Sequence, residues 1–173
     1  MVRIRLVILV AAILMAVTPQ PGAGGARAAP PAAADPVGTW PLAPEPALVR
    51  AFDPPELVYG SGHRGVDLLG SPAQAVRAAL PGRVSFAGSI GGKRVVVVDH
   101  GDTRTTYEPV AASVRPGDVV RAGERVGWLV VPFSHCYPAA CLHWGWRRGK
   151  VYLDPLRLVG EDVPVRLLPL WRR

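Results

Sequence analysis

An all-β fold, mainly antiparallel and closed as a barrel or sandwich, is what the sequence predicts for residues 47–160. Three observations predict it. Turn signals recur at short spacing, among them Gly70-Ser71-Pro72, Pro81-Gly82, Gly91-Gly92, Pro116-Gly117-Asp118 and Ala122-Gly123. Runs rich in Val and Thr, short enough to be strands, stand between them. No stretch of this region sustains the 3.6-residue apolar period of an amphipathic helix.

Each element follows from local chemistry. Residues 48–52 form an opening strand that Asp53-Pro54-Pro55 stops, because proline removes a backbone donor. Tyr59-Gly60-Ser61-Gly62 is a glycine-rich approach to an extended run over 63–69. Strands are expected at 76–79 and 83–87, on either side of Pro81-Gly82. The four valines at 95–98 make 93–100 a buried strand, and 103–107 is β-branched. Residues 119–121 and 126–131 are further strands, and the last runs through Cys141 to Trp146. Two segments, 80–84 and 114–124, look alike. The second is similar to the hammerhead hairpins of biotinyl and lipoyl carriers but lacks their lysine site, which argues against a carrier or phosphotransfer domain.

The flanks have a different composition. Residues 1–28 carry two early arginines, an apolar run over 6–17 and the small-x-small triplet Ala26-Arg27-Ala28, the anatomy of a secretory signal peptide. The run is shorter than the roughly 20 residues a bilayer-spanning helix needs. An uncleaved N-terminal anchor is the alternative, and the only expected membrane contact. Either way the domain is expected to be exported; its positive charge suits an anionic cell wall, although general solubility explains the charge equally well. Residues 29–46 are mostly Ala and Pro and read as a linker; 161–173 read as a C-terminal tail without identifiable chemistry. The formal charge is +7; residues 1–28 hold three arginines and no acid, so the remainder keeps a mild +4. Its scattered basic residues show no aromatic interleaving, so no nucleic-acid partner is expected. Oligomeric state is left open.

Chemistry concentrates in two segments, His63-Arg64-Gly65-Val66-Asp67 and Cys141-Leu142-His143-Trp144-Gly145. Side chains alternate faces in a strand, so His63 and Asp67 share one face and His143 points away from Leu142 and Trp144. If the two faces meet, His63, Asp67 and His143 offer two imidazoles and a carboxylate to one ion, with a fourth position left for water. That is the ligand set of a catalytic zinc, so Zn2+ is the expected cofactor. Cys136 and Cys141 are expected to pair in an oxidising compartment; a Cys141 thiolate serving as ligand or base is the rival reading. Trp144 and Trp146 are expected in the core.

From His63 to about Leu158 the sequence resembles the lysostaphin-type or LytM-type zinc peptidases, whose fold is the duplicated hybrid motif. The resemblance is carried by His63-x-x-x-Asp67, the Val-x-x-Gly-Asp-x-Val-x-x-Gly-like segment over 114–127, Leu142-His143 and Asp154-Pro155, all in the family's order. It implies zinc held by His63, Asp67 and His143, and hydrolysis of peptide cross-links in peptidoglycan by a zinc-bound water. Two departures stand out. The first histidine of the family's His-x-His, its general-base position, is Cys141 here, and the histidine of its Tyr-x-His is Pro109. Losing a general base typically costs about 10²–10⁴-fold in rate. The available substitutes are His135 and Glu108 as bases and Tyr107 as an oxyanion donor; the alternative is that His135 and Glu108 are solvated loop residues and Tyr107 is packed. His100 matches a turn position that is not a ligand in the family, and that resemblance implies a structural role. The expected function is therefore an exported zinc metallopeptidase acting on peptidoglycan. The alternative is a catalytically degenerate wall-binding or regulatory module on the same fold.

Overall fold

The computed structural model describes residues 35–57 and 60–160. The expected signal peptide (1–28), the first part of the expected linker (29–34), Val58, Tyr59 and the whole C-terminal tail (161–173) lie outside the described residues. The strands are β1 (Leu48–Arg50), β2 (Val66–Gly70), β3 (Ala75–Arg77), β4 (Gly82–Ile90), β5 (Lys93–Asp99), β6 (Thr103–Glu108), β7 (Val110–Ala112), β8 (Val119–Val120), β9 (Arg125–Leu129), β10 (Ala140–Arg148) and β11 (Val151–Leu153). A 3-10 turn, Pro155–Val159, follows, capped by the Asp154 carboxylate, which accepts the Leu156 N–H at 3.0 Å. The all-β expectation holds, and all recorded strand pairings are antiparallel. The sequence reading had no strand at β7 or β11; both are three residues long.

One sheet runs β1-β2-β10-β6-β5-β4-β8, with β11 on the free length of β10; the other runs β3-β9-β7. Strand β6 shows why the large sheet has two faces. Thr103, Thr105 and Tyr107 are buried while Arg104, Thr106 and Glu108 are half-buried, the period-two pattern of a sheet with one face in the core. Leu68, Val98, Tyr107, Leu142, Trp144 and Trp146 from this sheet share one core with Val76, Val110, Val126 and Leu129 of the small sheet. The opposite face of β10, β6, β5 and β4 forms the floor of a groove of about 690 Å³.

Two sequence expectations are corrected. The linker reading of 29–46 does not hold along its whole length. Leu42 is fully buried, Trp40 packs on Trp144, and the Gly38 N–H donates to the Leu158 carbonyl at 2.6 Å. A large apolar side chain among alanines and prolines is enough to draw that stretch into the core. The extended run over 63–69 is also interrupted: regular pairing begins at Val66, and His63 is held instead by an isolated bridge to Asp53.

Candidate metal centre

Strand register builds the centre. Across three neighbouring strands, Asp67 of β2 lies opposite His143 of β10, and His143 lies opposite Glu108 of β6. His63 reaches the same point from the bridged turn. The atoms converge: His63 Nε2 is 3.0 Å from Asp67 Oδ1 and 3.0 Å from His143 Nδ1, and His143 Nδ1 is 2.9 Å from Asp67 Oδ1. His63 and Asp67 are buried, and the His143 side chain is 11% exposed. The three residues expected as ligands from the sequence are thus brought together.

His135 joins them. Its Nδ1 lies 3.0 and 3.1 Å from the two oxygens of Asp67, a residue 68 positions away. The ligating atoms of His63, Asp67, His135 and His143 all lie within 4.8 Å of one another. Burial opposes ionisation of Asp67, but hydrogen bonds and charge from His135 and His143 outweigh it and hold the carboxyl well below the usual carboxylate range.

The donor set suits a cation. His63 Nδ1–H donates to the Ala51 carbonyl at 2.8 Å, which fixes the ring's tautomer. A neutral His63 then aims a bare Nε2 lone pair at a carboxylate oxygen and at a second imidazole, both 3.0 Å away. Such a cluster needs either an extra proton on an imidazole or a metal ion between the donors. The separations are close to the ~3.3 Å edge of a tetrahedron with zinc–ligand bonds of about 2.0–2.1 Å. Gly65 makes the approach possible: a β-carbon there would stand 2.9 Å from both Cε1 and Nε2 of His143 and collide with the Trp144 carbonyl.

The other sequence candidates sort differently. Tyr107 is corrected: as a potential oxyanion donor it is on the wrong face, fully buried, its hydroxyl accepting the Ala79 N–H at 2.7 Å and lying 2.9 Å from Thr105 Oγ1. Parity explains this, since Tyr107 is opposite Trp144 while its neighbour Glu108 is opposite His143. Burial pushes the Tyr107 phenol up to about 12. Glu108 lines the groove, with its carboxylate engaged by Lys93 Nζ at 3.1 Å rather than by the cluster. Cys136 and Cys141 form a disulfide, so Cys141 is neither thiolate nor base. His100 is structural: Nδ1 faces the Pro81 carbonyl at 2.8 Å and Nε2 faces Thr105 Oγ1 at 2.9 Å. The sequence reading did not pick out the groove's basic residues. Arg104 and Arg147 are cross-strand partners, and Arg64 and Arg147 stand 5.6 and 5.7 Å from the Tyr152 ring centre. Their signal was the strand parity of Arg147 with His143.

The chain matches peptidase family M23 over residues 61–155, a span that includes all four converging residues. The chain belongs to peptidase family M23. Uncharacterized proteins of Mycobacterium tuberculosis and Mycobacterium bovis are 48% identical to it over 148 residues, 83% of this chain; the chain spans only 59% of their length. The M23 domain also has the fold of the catalytic domain of lysostaphin, an antimicrobial peptidase from Staphylococcus simulans. The TM-score is 0.58 at 23% identity, covering 67% of this chain and 93% of that one. A zinc-containing peptidase from Vibrio cholerae gives a TM-score of 0.57 at 17% identity, covering 72% and 40%.

Proposed function

We propose that this M23 domain is an exported zinc metallopeptidase that acts on the peptide cross-links of peptidoglycan. The observation that carries the reading is the convergence of His63 Nε2, Asp67 Oδ1 and His143 Nδ1 with the His63 tautomer set by Ala51. His63, Asp67 and His143 would hold the ion. Zinc bound there supplies Lewis-acid chemistry: it acidifies water and polarises a carbonyl.

The chain's own residues supply the rest. The groove beside the centre is open along the sheet and carries Arg64, Lys93, Arg104 and Arg147 against Glu108. This excess of cations favours a peptide with free carboxylates, as wall stem peptides have. The apolar Phe86, Val95 and Val97 give a substrate backbone something to lie on. The Ala51 carbonyl keeps the His63 proton on Nδ1, so Nε2 stays available to the ion.

A second reading is favoured by one specific observation. Cys141 is sealed in a disulfide and Pro109 cannot titrate, so neither position of the family's catalytic histidines can take a proton. Without a replacement, turnover falls by about 10²–10⁴-fold, and the domain becomes a wall-binding module. One experiment separates the readings: metal content, peptidoglycan binding and peptidoglycan cleavage, for the wild type, His63→Ala and His143→Ala. The expected result is stoichiometric zinc and release of cross-link fragments in the wild type, both lost in the variants. Zinc and binding without fragments would establish the second reading, and a metal-free wild type would defeat the first.

A further inference from the structure

We propose that His135 is a fourth protein ligand at this centre, presented by a disulfide-closed loop, so that the resting site has no open coordination position. The inference rests on the reading that His63, Asp67 and His143 hold a metal.

The geometry treats His135 like the other two imidazoles. Its Nδ1 is 3.0 Å from Asp67 Oδ1, against 3.0 Å for His63 Nε2 and 2.9 Å for His143 Nδ1. One carboxylate oxygen is therefore equidistant from three imidazole nitrogens, as one corner of a tetrahedron is from the other three. The His135 corner is the looser one. Its ring centre stands 4.9 Å from that of His143 and 5.9 Å from that of His63, while those two rings are 4.8 Å apart.

The loop makes this placement a built feature rather than a surface rotamer. His135 follows Ser134, which is buried, and precedes Cys136, which is bonded to Cys141. Ser134 Oγ accepts the N–H groups of both Cys136 and Cys141, at 3.2 and 2.9 Å. Cys141 begins the part of β10 that carries His143, so the bridge fastens the loop bearing one imidazole to the strand bearing another.

A general-base role fits less well. A base must turn a lone pair to the position where water sits, yet Nδ1 is turned into the ligand cluster and Nε2 faces Lys93 Nζ at 3.5 Å. With Nδ1 on a metal the ring proton sits on Nε2, and Lys93 must then stay with Glu108, to which it is already closer at 3.1 Å. Three imidazoles and one carboxylate complete a four-coordinate zinc site, whereas catalytic zinc sites keep one position open. Substrate access then requires His135 to leave, and the loop that carries it is the gate.

The test is X-ray absorption of the zinc-loaded full chain, with zinc affinity measured by competition against a chromophoric chelator. The proteins are wild type, His135→Ala, His135→Gln and Cys136→Ser/Cys141→Ser. Three imidazoles are expected in the wild type and two in both His135 variants. Removing an outer-shell partner already weakens metal binding about 10–100-fold, so losing a ligand should weaken it at least ~10-fold. The double serine variant should show a weakened third imidazole. Two imidazoles in the wild type, or equal affinity in wild type and both His135 variants, would overturn the fourth ligand while leaving the three-residue centre intact. A wild type that binds no zinc would overturn both. Neither measurement depends on turnover, and a purely catalytic His135 would move neither.

Discussion

Gly65 and His100 show how single residues serve the centre and the core by different physics. At Gly65 the absent side chain matters. A methyl group there meets the His143 ring and the Trp144 carbonyl, so either β2 or β10 must shift. Gly65→Ala is expected to lower stability by about 1–3 kcal/mol through overpacking and, under the proposed function, to weaken zinc binding as well. Calorimetry and chelator competition would check the two effects, and intact zinc affinity would mean that the His143 ring adapts. At His100 the cost is desolvation. Burial lowers the imidazole's pKa, although the Pro81 carbonyl and nearby acids pull the other way. The folded state then resists a proton that the unfolded chain accepts. The stabilising contribution is complete above the ordinary histidine pKa of about 6.5 and is lost as pH falls from there through the depressed folded value. Between pH 7 and 5 the wild type should lose more stability than His100→Gln. Equal slopes would remove His100 from the account.

At the scale of elements, β10 organises the molecule. It pairs with β2, β6 and β11, buries Leu142, Trp144 and Trp146 on one face and presents His143 and Arg147 on the other. Stability and chemistry therefore share one strand but not one face. Trp144→Ala should cost about 3–5 kcal/mol by opening a core cavity, and the loss would be read as a lower midpoint in urea unfolding. A midpoint unchanged from wild type would mean that Trp144 is not the core anchor its burial indicates. Element-level legibility was high where local chemistry decides. The Gly and Pro turns and the valines at 95–98 announced their strands. It was lower at β7 and β11, whose three residues each hold a β conformation only because a longer strand pairs with them. Parity was legible too: it separated His143 from Trp144 correctly. At Tyr107 the oxyanion-donor reading came from the family's Tyr-x-His pattern, which does not say which face of its strand meets the groove; the structure bears out the packed alternative.

At the scale of the whole molecule, the large sheet's open face gives the centre a basic approach. Arg147 is half-buried on that face, and its Nε has no hydrogen-bond partner. Under the proposed function, Arg147→Gln should reduce peptidoglycan binding, most visibly at low salt, while leaving zinc content intact. Binding equal to wild type across salt concentrations would remove the groove's charge from substrate recognition. The span relative to the mycobacterial relatives also matters: this chain covers the M23 domain and only part of their length.

By itself the sequence determined the antiparallel β class, singled out His63, Asp67 and His143 as a candidate ligand set, and put His143 and Trp144 on opposite faces of one strand. Turn residues, β-branching and period-two alternation are local properties, and they survive without knowledge of the partner strand. The tertiary structure alone decided which faces meet. It placed Asp67 beside His143, turned the backbone carbonyl of Ala51 onto His63, brought His135 across 68 residues to the same carboxylate, and drew Leu42 out of a presumed linker. These depend on strand register and on long-range packing, which the whole core sets collectively and no short stretch of chain encodes.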